Sequence, residues 1–267
     1  MSRISALGIV FLAGLLPVAA QSVPLLFTVT DEQGRFVADL NRQDFQVLEN
    51  GRRQDNIVAF RRESGLPLRL GILVDTRYSQ VPLERAVLDF LRRVLKEDDK
   101  AFLVGFDTSS DLVVDFTSDV EQFAKGLRSL RPGGGAMLYD AIFYACWDKL
   151  RTFPPEQFRR VLVIVENGED TQSRVRPEQA LEMAQRAQVA LFSISTPNPV
   201  LQRLAGQTGG LNAKSFEEVA GELQHQYFLL YTPRPFAPDG RFHDVEIKPQ
   251  RKDLRVRARK GYYAPTK

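Results

Sequence analysis

Along the first part of the chain, residues 23–60, apolar positions recur with a period of two. Leu25, Phe27 and Val29 share one face, and Phe45 and Val47 share the face of another strand. Two turn signals punctuate the segment, Asp31-Glu-Gln-Gly-Arg35 and Asn50-Gly51. The second favours a tight hairpin, because both residues tolerate positive φ. The pattern predicts a small antiparallel β unit, followed by a linker at 61–67 that contains Gly65 and Pro67.

From residue 68 the pattern changes to buried runs alternating with amphipathic stretches. The run at 68–74 is almost continuously apolar, as in a central parallel strand covered on both faces. Pro82 opens a helical pattern in which Leu83, Val87, Phe90, Leu91, Val94 and Leu95 share one face. Strands at 101–106 and 112–116 lie too close together for a crossover helix and read as an antiparallel pair at a sheet edge. Helices at 120–130 and 137–150 flank the loop Pro132-Gly-Gly-Gly135, and strands at 161–165 and 189–194 flank a helix at 177–187. This alternation predicts an α/β fold built on a doubly wound, mostly parallel sheet. Near the C-terminus Leu254, Val256 and Ala258 alternate with Arg255, Arg257 and Arg259. That basic face reads as a solvated strand face, since Asp244 and Glu246 can pair across to it and no aromatic is interleaved as nucleic-acid binding would favour. Strands at both ends of the chain imply that its ends pack into one β module.

Composition narrows the class. With 43% hydrophobic and 26% charged residues in 267, the chain is an ordinary globular one, and a net charge of +3 argues for neither a nucleic-acid nor an anionic-membrane partner. Residues 1–20 have the order of an export leader: Arg3, an apolar stretch at 4–16, and Val18-Ala19-Ala20 as a small-residue cleavage site before Gln21. The apolar stretch is short for a span of about 20 residues. Cleavage after Ala20, no stable membrane insertion afterwards, and a secreted or periplasmic location are therefore expected. Cys146 is the single cysteine, which excludes an intramolecular disulfide and a thiolate metal cage. It lies in a helical pattern with only His225 and His243 available to assist it, and reads as a buried inert thiol.

In open α/β sheets, ligands sit beyond the carboxyl ends of the strands. Three polar loops lie there: Asp75-Thr-Arg-Tyr-Ser79, Gly135-Ala-Met-Leu-Tyr-Asp140 and Glu166-Asn-Gly-Glu-Asp170. Leu73-Val-Asp-Thr-Arg-Tyr-Ser79, Pro132-Gly-Gly-Gly-Ala-Met-Leu-Tyr-Asp-Ala141 and Val163-Ile-Val-Glu-Asn-Gly-Glu-Asp-Thr171 resemble the three conserved loops of von Willebrand factor A-type domains. The likeness covers residues 68–224. The flanks, with Val29-Thr-Asp, Asp44-Phe, Glu49-Asn-Gly and the ending Arg257-Ala-Arg-Lys-Gly-Tyr-Tyr-Ala-Pro265, resemble the bacterial exported subfamily of von Willebrand factor A-related proteins. The resulting division is a leader at 1–20, an N-terminal β segment at 21–62, the von Willebrand factor A-like domain at 68–224 and a C-terminal β segment at 225–267.

The resemblance implies a metal-ion-dependent adhesion site, in which Asp-x-Ser-x-Ser, a Thr of the glycine loop and a later Asp hold a divalent cation, usually Mg²⁺, and a partner carboxylate completes the shell. Oxygen ligands in near-octahedral geometry suit such a cation. Here Asp75 and Ser79 match, but Arg77 holds the first Ser position, Ala136 the Thr position and Asn167 the Asp position. Ala136 supplies no oxygen, Asn167 no charge, and Arg77 a permanent cation. No cofactor is expected. Three arrangements are open: Arg77 replaces the ion and pairs with Asp75; Arg77 turns to solvent; or Glu169 or Asp170 rescues Mg²⁺ binding, with Asp75, Ser79, Asn167 and Asp170 as its ligands. Asp107-Thr-Ser-Ser-Asp111 reads as a hairpin loop, not a second site, and Pro132-Gly-Gly-Gly135 lacks the lysine of a phosphate-binding loop.

The expected function is non-catalytic, adhesion-type recognition of a protein or peptide, through an acidic side chain of the partner and a face built by Asp75, Arg77, Tyr78, Ser79, Ala136, Met137 and Asn167. The alternatives are a scaffold subunit of an envelope assembly and a hydrolase. The last lacks both a Gly-x-Ser-x-Gly elbow and a histidine in these loops.

Overall fold

The computed structural model describes residues 22–77, 80–166, 169–195 and 198–266. The leader segment 1–20 lies outside them. The described chain begins with β1 (Val23–Thr30), β2 (Phe45–Glu49), β3 (Arg52–Gln54) and β4 (Ile57–Arg61). The α/β part follows: β5 (Leu68–Asp75), α1 (Gln80–Val94), β6 (Lys100–Phe106), β7 (Ser110–Thr117), α2 (Val120–Ser129), α3 (Leu138–Tyr144), β8 (Arg159–Val165), α4 (Pro177–Arg186), β9 (Ala190–Ile194), α5 (Pro199–Thr208), β10 (Asn212–Ala213) and α6 (Phe216–Gln224). The chain then returns to strands with β11 (Tyr227–Tyr231), β12 (Phe242–Pro249), β13 (Arg255–Ala258) and β14 (Gly261–Tyr263).

The central sheet has the order β10-β9-β8-β5-β6-β7. All its pairings are parallel except β6 with β7, the edge pair that the short connection at 107–109 dictates. Alternation along β5 sends Leu70, Ile72 and Val74 to one core, shared with α1, α2 and α6, and Leu73 to the other, shared with α3, α4 and α5. Gly71 faces the second core too, where a Cβ would lie 2.4 Å from the Phe102 ring and 2.5 Å from Leu162. The doubly wound architecture is therefore the one the alternation of runs predicts. The helix predicted at 137–150 departs from regularity: α3 passes at Ala145 into a π-helical turn, Ala145–Leu150. Cys146, in that turn, is fully buried, and burial pushes its thiol up to about 12. No helix among the described residues is long and apolar enough to cross a membrane.

The remaining strands form two four-stranded sheets, β13-β1-β11-β4 and β14-β12-β2-β3, over a core that includes Leu25, Phe27, Val47, Tyr227, Leu229 and Ile247. Asn50 (φ 48°) and Gly51 (φ 75°) make the β2–β3 hairpin, with Glu49 opposite Arg52. Elsewhere the strands of 23–60 pair with the chain's other end rather than with each other, giving the joint β module that strands at both ends of the sequence imply. β1 lies between β11 and β13, with Leu25 opposite Leu229 and Val29 opposite Val256, while β2 pairs with β12. A period of two fixes which face of a strand is buried but leaves its partner undetermined.

The basic face of the last strands also departs from expectation. Arg257 pairs with Glu222 of α6 at 3.2 Å rather than with Asp244 or Glu246. Arg259 turns inward and donates to Gln188 Oε1 at 2.6 Å and to the Pro24 carbonyl at 2.8 Å. β13 pairs with β1, and its end packs on the end of α5, where Lys260 N donates to the Gln207 carbonyl; this face is thus partly covered by the α/β unit.

Candidate functional site

β5 ends at Asp75, which is fully buried, as expected of a strand end roofed by loops. The chain turns immediately, and the Asp75 carboxylate organises the turn: Oδ1 accepts the Arg77 backbone N–H at 3.0 Å. The Arg77 side chain folds back over the same carboxylate, with Nε 3.0 Å from Oδ1 and Nη2 2.7 Å from Oδ2. Such a fork is the strongest pairing a carboxylate makes with a protein side chain. Of the orientations open to Arg77, the inward one is observed. Its side chain is 22% exposed and that of Asp75 1%, so the guanidinium covers the acid while keeping one edge toward solvent. Those hydrogen bonds to Asp75 hold the guanidinium above its usual pKa. Glu169, 70% exposed, brings Oε2 to 3.9 Å from Nη1.

A further carboxyl completes the cluster. Glu166 follows β8 directly and is fully buried. Burial first, and the neighbouring Asp75 charge, push its carboxyl up to about 7, against the opposing pull of a hydrogen bond with Ser195 and of Arg77. Near neutral pH, Glu166 therefore exchanges its proton beside a permanent ion pair. In the sequence Glu166 is one residue of the third polar loop, with no role of its own. The available signal was an acid directly following the uninterrupted apolar run Val161-Leu-Val-Ile-Val165.

The glycine loop is tied down from both sides. Thr76 Oγ1 donates to Asp107 Oδ2 at 3.2 Å and accepts the Gly133 N–H at 3.1 Å, and Met137 N donates to the Asp107 carbonyl at 2.7 Å. A Cβ on Gly133 would sit 1.9 Å from Asp107 Oδ2, so only glycine permits that approach. Asp107 thus belongs to a β6–β7 hairpin loop that braces the site. Ala136 is fully buried, its N–H donates to Thr171 Oγ1 at 3.0 Å, and it packs with the core beneath the loop. It forms floor rather than contact surface, as does Asp75; Met137 is partly exposed. Asp170 caps the start of α3, accepting Leu138 N at 2.9 Å and Ser173 Oγ at 2.5 Å. Asp140 accepts Arg174 N and Val175 N at 3.0 and 2.7 Å, locking the third loop onto the same helix. Tyr78, Ser79 and Asn167 lie outside the described residues.

Among the described residues, the candidate metal donors are already engaged or missing. Both oxygens of Asp75 face the guanidinium, Ala136 has no side-chain oxygen, and Asp170 is engaged by the start of α3. Among the described residues no group of three His, Cys, Asp or Glu side chains is placed to hold a metal. Both histidines lie outside these loops. His243 sits between Glu49 and Asp239 in the β module, and His225 Nδ1 contacts the Gly221 carbonyl at the end of α6.

No family model and no curated protein matches the sequence. Solved structures do match in shape, and they are von Willebrand factor A-type domains. The proximal thread matrix protein 1 from the mussel byssus, with a zinc-occupied adhesion motif, is 13% identical over 60% of this chain and 47% of its own, at a TM-score of 0.48. This chain thus spans just under half of the mussel protein's length. The von Willebrand factor A domain of SpRpn10 is 16% identical over 52% of this chain and 80% of its own, at 0.42. The protein BatB from Bacteroides thetaiotaomicron is 14% identical over 60% of this chain and 97% of its own, at 0.45. The class set by the topology is a von Willebrand factor A/Rossmann-like α/β fold with two additional antiparallel sheets.

Proposed function

We propose that this chain is a non-catalytic recognition module acting outside the cytoplasm, and that at its strand-end face the Arg77 guanidinium takes the place of a divalent cation. The observation that carries this is the fork from Arg77 onto the buried Asp75. A cation in that position, whether ion or guanidinium, neutralises Asp75 and offers its outer side to an acidic group of a partner. Arg77 is partly exposed, and so is Met137 of the glycine loop. Tyr78, Ser79 and Asn167 stand in the same loops of the sequence. The leader at residues 1–20 supports export, and the absence of a histidine from the three loops supports binding over hydrolysis.

The test is a pull-down of the mature protein from extracellular or periplasmic extract, with and without EDTA, followed by titration of the captured partner. Binding should survive EDTA, and Arg77→Glu should abolish it. Loss of binding in EDTA, or micromolar binding of Mg²⁺ or Mn²⁺ by calorimetry, contradicts a metal-free site. Unchanged affinity of Arg77→Glu moves the contact to another face and favours the scaffold alternative.

A further inference from the structure

Inside the β module, one imidazole is held between two carboxylates. His243 of β12 has Nδ1 2.7 Å from Glu49 Oε1 of β2 and Nε2 3.2 Å from Asp239 Oδ1 in the loop between β11 and β12. The side chains of His243 and Glu49 are 7% and 5% exposed, that of Asp239 38%. Two hydroxyls complete the surroundings of Glu49: Tyr231 of β11 donates to Oε2 at 2.6 Å, and Tyr262 of β14 donates to Oε1 at 3.3 Å. The Tyr262 ring also lies 5.5 Å from the imidazole. Two cations stand beyond these groups. Arg259, at the end of β13, has its guanidinium 5.7 Å from the Tyr262 ring, and Arg241 adds its charge to the pull on Asp239.

Counting donors fixes the protonation of this chain. A neutral imidazole has one N–H and one lone pair, so it donates to one carboxylate and turns a lone pair toward the other. Only the imidazolium donates on both sides. Because Glu49 already accepts from two tyrosines, the extra proton belongs to the ring. Desolvation opposes that charge, but the hydrogen bonds to Glu49 and Asp239 outweigh it and raise the pKa of His243.

The contact with Asp239 also reaches the end of the chain. Gly240 N donates to the Pro265 carbonyl at 3.1 Å, Ala264 N donates to the Arg241 carbonyl at 2.9 Å, and Asp239 bridges to Thr266. Residues 239–241 and 264–266 therefore cross beside the imidazole. When the ring loses a proton, one carboxylate must face a lone pair. Glu49 is buried and keeps the remaining N–H, whereas Asp239 can turn to water.

We infer that His243 is a proton-operated latch: its imidazolium pins Asp239, and with it the crossing of residues 239–241 and 264–266, onto the β module, and loss of the proton frees that crossing. A raised folded pKa means that the latch is closed below that pKa and opens as pH rises through it. None of its groups belongs to the strand-end face around Asp75, so this inference and the proposed recognition face stand or fall separately.

The test combines an NMR titration of His243 with amide exchange of Gly240 and Ala264 on the purified full chain, expressed as protection factors so that hydroxide catalysis divides out. The wild-type imidazole should titrate above 6.5, and protection of both amides should fall by about fivefold across the same midpoint, the worth of one partly exposed charge-assisted hydrogen bond. Asp239→Asn, at an exposed position, should lower the midpoint by about one unit and remove the step in protection. His243→Gln, which cannot titrate, should give protection that is flat with pH. A wild-type midpoint below 6.5 overturns the inference, as does protection that stays flat through the midpoint. An Asp239→Asn variant with the wild-type midpoint and step overturns it too.

Discussion

Replacing Arg77 by Met should destabilise the protein mainly by stranding Asp75. The Asp75 side chain is 1% exposed and has three hydrogen bonds from Arg77 side-chain nitrogens at 2.7–3.2 Å; of the hydrogen bonds among the described residues, the variant keeps the backbone N–H at 3.0 Å. Removing one partner of a buried ion pair typically costs about 3–5 kcal/mol. Arg77 is itself 22% exposed, so solvent screens part of the pair and the expected loss falls to about 2–3 kcal/mol. Replacing both partners, Asp75→Asn with Arg77→Met, should recover much of it, since a neutral amide needs no cation. Urea unfolding at pH 7 followed by circular dichroism on wild type, the single variants and the double variant gives the coupling. A coupling energy near zero, with Arg77→Met costing less than about 0.5 kcal/mol, would falsify the view that the guanidinium neutralises a buried acid.

Other outcomes follow from the same geometry. Arg77→Ser restores the Asp-x-Ser-x-Ser spacing around Asp75 and should make Tm respond to Mg²⁺, a response absent from wild type; two indistinguishable melting curves count against a competition between arginine and metal. Glu166 has a folded pKa of about 7 against 4.5 when unfolded, so folding favours its protonated form; its stabilising contribution is full below about pH 4.5 and lost as pH rises through about 7. Glu166→Gln should therefore gain on wild type across that window, by up to about 3 kcal/mol at most, and parallel stability–pH curves refute the assignment. In the β module, desolvation pulls His243 down but Glu49 and Asp239 outweigh it, and its pKa is raised. It too favours folding at low pH, with that contribution lost as pH rises through its folded value; His243→Gln should flatten the profile above pH 6.5, and an imidazole titrating below 6.5 by NMR contradicts it. Cys146, buried with its thiol near 12, should resist a thiol reagent until the chain unfolds, and rapid labelling of the native state opposes this.

Much of the α/β part was legible because its signals are local. Buried runs such as 68–74 sit between two helical layers whatever their order, and the short link after Phe106 forces β7 to return antiparallel. The Asn50-Gly51 hairpin was legible for the same reason. What stayed hidden depends on distant neighbours. That the two ends of the chain join was legible from strands at both, but Val23–Thr30 does not say that its neighbours are β11 and β13, and nothing in the alternation Arg255, Arg257, Arg259 says that α5 and α6 lie close by. At the strand-end face the substitutions at Arg77 and Ala136 were readable, but the direction of a flexible guanidinium was not. It follows from the buried charge beside it, and the weight of Glu166 follows from burial that only the folded sheet creates.

The placement of β1 between β11 and β13 sets an order of assembly. Arg61 lies opposite Phe228, so the whole stretch from β5 to α6 leaves and re-enters the β sheets at adjacent points. Closing so long a loop from a disordered chain is slow and entropically costly. Once the α/β unit has folded, its two ends already lie side by side, and only short closures remain. The central sheet then acts as a template that delivers the last strands to the first, and a lesion deep in β5 should delay formation of sheets with which β5 does not pair.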